Sequence, residues 1–149
     1  MLSNILVASL LMALCVAVHA AGLSYAVKQL RRRVARIQLT WQWTDLFIRL
    51  AAWITFLHLV EIAAWASFYA WQRAMPDIQS AFYFSAVTYT TTGYGDLVLS
   101  PPYRFVGAVE ALTGILMCGW STGFFFAVIN RMFESKQQPV GKHHEPAHR

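Results

Sequence analysis

Three long apolar segments limit the folds that this chain can adopt. They cover residues 5–27, 46–71 and 103–129 of a chain of 149 residues. Each exceeds the roughly 20 apolar residues that an α-helix needs to cross a bilayer. A soluble domain of this length would not carry three such segments, and only 13% of the residues are charged. The sequence therefore predicts an all-α membrane protein with three transmembrane helices.

Basic residues predict which side of the membrane each loop faces. They cluster after the first segment, at Lys28, Arg31, Arg32, Arg33 and Arg36, and in the tail, at Arg131, Lys136, Lys142 and Arg149. The loops on the opposite side hold only Arg73 and Arg104. By the positive-inside rule, the N-terminus lies outside a cell (inner) membrane and the C-terminus lies in the cytoplasm. The first cluster either serves topology alone or also binds anionic lipid head groups.

A short motif, Thr91-Thr92-Gly93-Tyr94-Gly95-Asp96, precedes the third apolar segment. Its two glycines reach positive φ at little cost, so the backbone can alternate and turn successive carbonyls to one side. The apolar, aromatic stretch before it, residues 80–90, is too short to span a bilayer. Such a stretch suits a re-entrant helix, whose backbone can break at depth only where protein and water surround it.

This motif and its flanks, over residues 78–130, resemble the potassium channel family. The resemblance is to tetrameric pore-loop channels of the two-transmembrane bacterial type, here with an extra N-terminal transmembrane helix. It implies a fourfold homotetramer in which four loops form one selectivity filter, whose carbonyls replace the hydration shell of K⁺. The filter residues would be Thr91, Thr92, Gly93, Tyr94 and Gly95, with K⁺ held at the first four. The Tyr94 ring would point away from the ions and brace the filter against the pore helix.

Two departures from the family pattern affect the support of the filter. Thr92 stands where valine or isoleucine is usual, and its hydroxyl needs a partner such as Thr88 or a water molecule. Val87 occupies the place of a glutamate that, in some members, pairs with the equivalent of Asp96. Tyr83 remains as a hydroxyl partner for Asp96.

The resemblance also implies roles for the third segment. In the matched register, Ile115, Cys118 and Thr122 face the central cavity, and Phe126 follows on the same face as the expected gate. Gly114 occupies the position of a hinge glycine. Close helix packing explains a glycine there equally well.

Ionisable residues inside membrane helices are functional candidates by default. Glu110 is expected to face the pore helix and to hydrogen-bond to it as a filter support. His58 and Glu61 lie three residues apart, on one helical face. An interhelical hydrogen bond is favoured for this pair over proton sensing. The two cysteines, Cys15 and Cys118, are interpreted as small apolar residues and not as a disulfide.

The first segment also resembles a secretory signal peptide, with Val18-His19-Ala20 as the cleavage site. However, the residues before the apolar run carry no positive side chain, and the run is longer than the 7–15 residues expected. We therefore predict a retained helix at the periphery of the pore. The predicted segments are a first transmembrane helix (1–27), a basic cytoplasmic linker (28–44), an outer transmembrane helix (45–71), a pore loop (72–102), an inner pore-lining helix (103–130) and a cytoplasmic disordered tail (131–149).

The expected function is passive conduction of K⁺ through a selective channel. The sequence holds no nucleotide-binding fingerprint, nucleophile motif or metal-ligand spacing, so we expect no enzyme activity, no cofactor apart from K⁺ in the filter, and no nucleic-acid partner. Three alternatives are a weakly selective cation channel, a K⁺ uptake subunit, and a membrane anchor or interaction protein in which the motif is a coincidence.

Overall fold

The computed structural model describes residues 2–34 and 40–137, which form helices and turns without a strand. The helices are α1 (Leu2–Val34), α2 (Thr40–Trp71), α3 (Ile78–Tyr89) and α4 (Arg104–Gln137), with a 3₁₀ turn at Pro101–Tyr103. Three of them, α1, α2 and α4, are long and apolar enough to cross a membrane. The predicted all-α class with three membrane-spanning helices is confirmed.

The spanning helices extend beyond the predicted bounds. α1 continues to Val34, so the basic residues from Lys28 to Arg33 lie in its last two turns and not in a linker. α4 continues to Gln137, into the segment predicted to be a disordered tail. Lysine, arginine and glutamine are good helix formers, and basic residues near a helix C-terminus interact favourably with the helix dipole. Arg36, Lys142 and Arg149 lie outside the described residues.

The packing gives α1 a larger role than the sequence predicts. α1 packs against both α2 and α4, and α3 packs against the same two helices, whereas α2 and α4 make few direct contacts. Gly22 allows α2 to approach, because a Cβ there would lie 2.4 Å from Cδ1 of Leu57. The Gly22 carbonyl also accepts a hydrogen bond from Nε1 of Trp53 at 3.0 Å. The first helix is therefore not peripheral within the chain.

Two capping structures fix the turn between α2 and α3. Arg73 adopts a φ of 51°, and the amide of Ala74 donates to the carbonyl of Tyr69 at 2.9 Å, which is the Schellman pattern that ends α2. Asp77 begins α3, because its carboxylate accepts the backbone N–H of Ser80 at 2.8 Å. The hydrogen bonds from Ser80 lower the pKa of the Asp77 carboxyl. The two caps set where α3 enters the protein and hence where the following loop begins.

Gly114 is the point at which α4 meets the end of α3. A Cβ on this residue would lie 1.8 Å from the carbonyl oxygen of Tyr89. Only glycine fits so close to a backbone atom, so packing alone explains this glycine. The structure also places Gly114 against α3, and not with the side chains predicted to face the cavity.

Candidate functional site

The loop after α3 has an alternating backbone. Thr91, Gly93 and Gly95 adopt φ angles of 59°, 53° and 77°, whereas Thr92 and Tyr94 between them do not have positive φ. Alternation between left- and right-handed conformations turns successive N–H groups to one side of the chain. It therefore turns the carbonyl groups to the other side.

The N–H groups of this loop face α3. The amide of Thr91 donates to the carbonyl of Thr88 at 2.9 Å, and the amides of Thr92 and Gly93 donate to the carbonyl of Val87 at 2.9 and 3.2 Å. These bonds satisfy carbonyls that the end of a helix leaves without partners. Since these three N–H groups are bonded to α3, the alternating backbone turns the carbonyls between them away from that helix.

The left-handed conformation of Thr91 is a feature that the sequence did not predict. The glycines explain positive φ at 93 and 95, but a β-branched residue in this region is uncommon and costs about 1–2 kcal/mol. Threonine carries no sequence signal for it. The hydrogen bonds from the neighbouring amides to α3 hold the strained residue in place.

The polar side chains around the loop are paired, with one difference from expectation. Tyr83 donates a hydrogen bond to Asp96 at 2.8 Å, which raises the pKa of Tyr83. The Thr92 hydroxyl lies 2.9 Å from that of Thr90 and not beside Thr88, the partner suggested by the sequence. Thr88 instead lines a cavity of about 190 Å³ behind the loop. Thr88 still belongs to α3, whereas Thr90 and Thr92 belong to the turn that follows the helix.

Tyr94 has no bracing role within a single chain. Its side chain is 72% exposed in the single chain, so the predicted bracing of the filter against a pore helix stays a prediction that requires a neighbouring subunit.

Glu110 connects α4 to the helices behind the loop. It is completely buried and accepts a hydrogen bond from Tyr69 of α2 at 2.8 Å, and Ser85 of α3 contacts its other oxygen. Ser85 also reaches the carbonyl of Ile62 at 2.9 Å. These three contacts require three protons, and the two hydroxyls supply two, so a protonated Glu110 completes the set. The structure thus brings Glu110 to α3, as expected from the sequence.

A second buried network joins all four helices. Glu61 of α2 lies 2.9 Å from Nδ1 of His19 on α1, and its other oxygen accepts a hydrogen bond from Tyr89 at the end of α3. His58 lies 3.0 Å from the Tyr89 hydroxyl. Ser121 of α4 contacts Nε2 of both imidazoles, at 3.0 and 3.2 Å. We call these five residues the His–Glu network.

Sequence reasoning found only His58 and Glu61 of this network. It treated His19 as part of a cleavage-site pattern and did not consider Tyr89 or Ser121. The available signal was the rarity of polar side chains within spanning segments. That signal identifies candidates, but it does not show which of them meet.

The side chains predicted to face a cavity share one exposed face of α4. All of them are exposed in the single chain: Ile115, Cys118, Thr122 and Phe126. Thr122 turns its hydroxyl back to the carbonyl of Cys118, 2.9 Å away. Ile115 and Phe126 are 56% and 64% exposed, so they belong to an apolar face that residues 2–34 and 40–137 of the same chain leave uncovered.

Comparison with known families gives one match. Residues 55–131, just over half of the chain, match a family model described as "Ion channel". The matched region contains much of α2, all of α3, the alternating loop and most of α4, while α1 lies outside it. Neither the comparison with curated proteins nor that with solved structures found a match.

Proposed function

Because the chain belongs to this ion channel family, we propose that it is a potassium-selective channel whose filter is formed by residues 91–96. The observation that carries the proposal is the alternation of φ at Thr91, Gly93 and Gly95, together with N–H groups bonded to α3. This arrangement leaves a row of carbonyl oxygens free to contact ions.

A row of neutral oxygens suits K⁺ better than a charged site does. Carbonyls can replace the hydration shell of the ion, yet they hold it weakly enough to release it to the next site. We propose that K⁺ contacts the oxygens of Thr91, Thr92, Gly93 and Tyr94, with Gly95 ending the row. Asp96, Tyr83 and Glu110 hold the loop from behind. Transport of this kind needs no covalent chemistry, cofactor or nucleic acid.

A complete filter requires four loops, and each chain supplies one. We therefore propose a homotetramer with fourfold cyclic symmetry, the simplest closed assembly that brings four loops to one axis. The exposed ring of Tyr94 would pack on a neighbouring subunit. The exposed face of α4 would line the cavity, with Phe126 as the apolar constriction that closes by dewetting.

The membrane orientation follows the basic residues. We propose that the protein lies in the cell (inner) membrane with the N-terminus outside and the last turns of α1 in the cytoplasm. A cavity of about 190 Å³ opens there between α1 and α2, and Arg33 and Arg49 line it beside Leu30 and Trp53. An apolar cleft with basic side chains at its mouth suits an anionic lipid.

The decisive experiment measures K⁺ and Na⁺ flux through purified protein in liposomes, for the wild type and for Gly93→Ala. An added Cβ at Gly93 meets no atom within 4 Å, so this variant tests the positive φ and not the available space. We expect strongly K⁺-selective flux in the wild type and none in the variant, with the assembly retained.

Gly119→Ala is the matched control, because its added Cβ also meets nothing within 4 Å but its backbone is helical. This variant should conduct. Equal passage of K⁺ and Na⁺ through the wild type would refute the filter assignment and favour a weakly selective cation channel. Absence of any flux would favour an uptake or interaction subunit.

A further inference from the structure

The His–Glu network lies where α1 and α2 meet the end of the pore helix. His19, Glu61 and Tyr89 are at most 1% exposed, and Ser121 is 5% exposed. No lysine or arginine in the described ranges pairs with Glu61, so compensation of its charge falls to the two histidines. Four of its five residues lie within the matched family region, and only His19, on α1, lies outside it.

Protons can be counted across this network. Its five contacts each need one hydrogen atom between the two heavy atoms. Two neutral imidazoles and two hydroxyls carry four hydrogens in all, and an ionised carboxylate carries none. A fifth proton completes the set. Placed on an imidazole, it also balances the charge of Glu61, so the buried group becomes neutral overall.

We infer that the His–Glu network binds one exchangeable proton per chain, and that this proton ties α1 and α2 to the end of the pore helix. Loss of the proton breaks one of the five contacts and leaves a buried carboxylate without a compensating charge. The network then holds Tyr89 less firmly.

The position of Tyr89 links the network to the filter. Tyr89 is the last residue of α3, its carbonyl packs against Gly114, and the strained Thr91 follows two residues later. A displacement of Tyr89 therefore moves the carbonyls of α3 to which the filter amides are bonded. On the premise of the proposed function, loss of the proton at high pH should reduce K⁺ conduction.

The other titratable groups near this site are few. Cys15 of α1 and Cys118 of α4 interact electrostatically with Glu61. Neither thiol is hydrogen-bonded to Glu61 or to the two histidines. Glu110 of α4 is occupied by Tyr69 and Ser85. From α3, only Tyr89 reaches the network. The exchangeable proton thus belongs to His19, His58 and Glu61.

Glu61→Gln is the sharpest test, because the amide keeps the shape of the carboxylate, removes its charge and supplies its own hydrogens. The first measurement is stability of the purified protein against pH. Above about pH 6.5, an unfolded histidine releases a proton that the folded network retains. Above that pH, stability of the wild type should therefore fall as pH rises, by up to tenfold in the unfolding constant per pH unit and chain. Below it the two unfolded histidines together bind more than the one proton of the folded network, so stability should fall again as pH drops.

We expect the fall of stability with rising pH above about pH 6.5 to disappear in Glu61→Gln. It should remain when His143, His144 and His148, which lie outside the described residues, are replaced by glutamine. The same pH profile in wild type and Glu61→Gln would overturn the proton site, as would a stoichiometric divalent metal in the purified protein. Should Glu61→Gln fail to fold, ¹⁵N NMR of histidine in the tail-substituted protein decides: two neutral imidazoles beside an ionised Glu61 at pH 7 would overturn it.

Flux through liposomes then separates this inference from the proposed function. K⁺ flux that falls with rising pH in the wild type, but not in Glu61→Gln, supports both the proton site and the channel function. A pH-dependent stability that Glu61→Gln removes, in a protein without selective K⁺ flux, supports the proton site and contradicts the channel function. Selective K⁺ flux with identical stability profiles supports the channel and contradicts the proton site.

Discussion

Replacing Gly114 with alanine should force α4 away from the end of α3. The added Cβ would lie 1.8 Å from the carbonyl oxygen of Tyr89 and 2.7 Å from its carbonyl carbon. Both are backbone atoms, so no side-chain rotation relieves the overlap, and the separation must increase to at least 3.0 Å. Overpacking of this kind costs about 1–3 kcal/mol, and alanine regains about 1 kcal/mol of helix propensity. Since the clash involves rigid backbone, we place the overpacking cost at the top of that range and expect a net loss of about 2 kcal/mol.

Gly119→Ala is the matched control, because the same substitution five residues later meets nothing within 4 Å. It should gain up to about 1 kcal/mol from helix propensity alone. Thermal unfolding of the purified protein in detergent compares the two. A loss of about 2 kcal/mol corresponds to a melting temperature lower by about 4–8 °C for a chain of this size. If Gly114→Ala unfolded at or above the wild-type temperature, the close contact between α3 and α4 would be refuted.

Three further predictions concern other parts of the chain. Glu110→Gln should leave stability nearly unchanged, because the amide can still meet Tyr69 and Ser85. Glu110→Ala should cost about 1–3 kcal/mol by leaving the Tyr69 hydroxyl without a partner, while Ser85 keeps the carbonyl of Ile62; chemical denaturation of the two variants tests this. Arg73→Gly should stabilise the protein by about 1 kcal/mol in the same assay, since glycine adopts the positive φ without strain. A charged thiol reagent applied from the cytoplasmic side should reduce the current of open channels, because it can react with the exposed Cys118 but not with the buried Cys15. Current recordings test this: if the reagent still blocks Cys118→Ala, the predicted register of α4 is wrong.

The sequence predicts those features that depend on composition and on local backbone chemistry. The length of the three apolar segments is sufficient to predict the three spanning helices, because a soluble domain of this size does not need apolar segments this long. The glycines at 93 and 95 indicate positive φ directly. The pairing of Tyr83 with Asp96 was anticipated from the family pattern, because Val87 removes the glutamate that pairs with the equivalent of Asp96 in some members.

Features that depend on how helices rotate against each other could not be predicted. Hydropathy shows that a segment crosses the membrane, but not which face meets which neighbour. His19 and Ser121 therefore gave no sign of sharing a network. The sequence suggested Thr88 or a water molecule as the hydroxyl partner of Thr92 and did not point to Thr90, because the position of the Thr90 hydroxyl depends on where the helix ends. Hydropathy also missed the helical continuation of α1, since charged residues with high helix propensity end an apolar run without ending a helix.

The contact between His19 and Ser121 also affects how the protein is made. The two residues are 102 positions apart, and α1 leaves the ribosome first. At usual synthesis rates, Ser121 follows His19 by roughly 5–20 s. During that interval the imidazole of His19 lacks at least one of its two partners, and both until Glu61 has been synthesised, so the insertion machinery has to tolerate a polar side chain in an incomplete bundle. Helix α1 can therefore dock fully only after α4 has been synthesised, which makes the first helix to enter the membrane one of the last to settle.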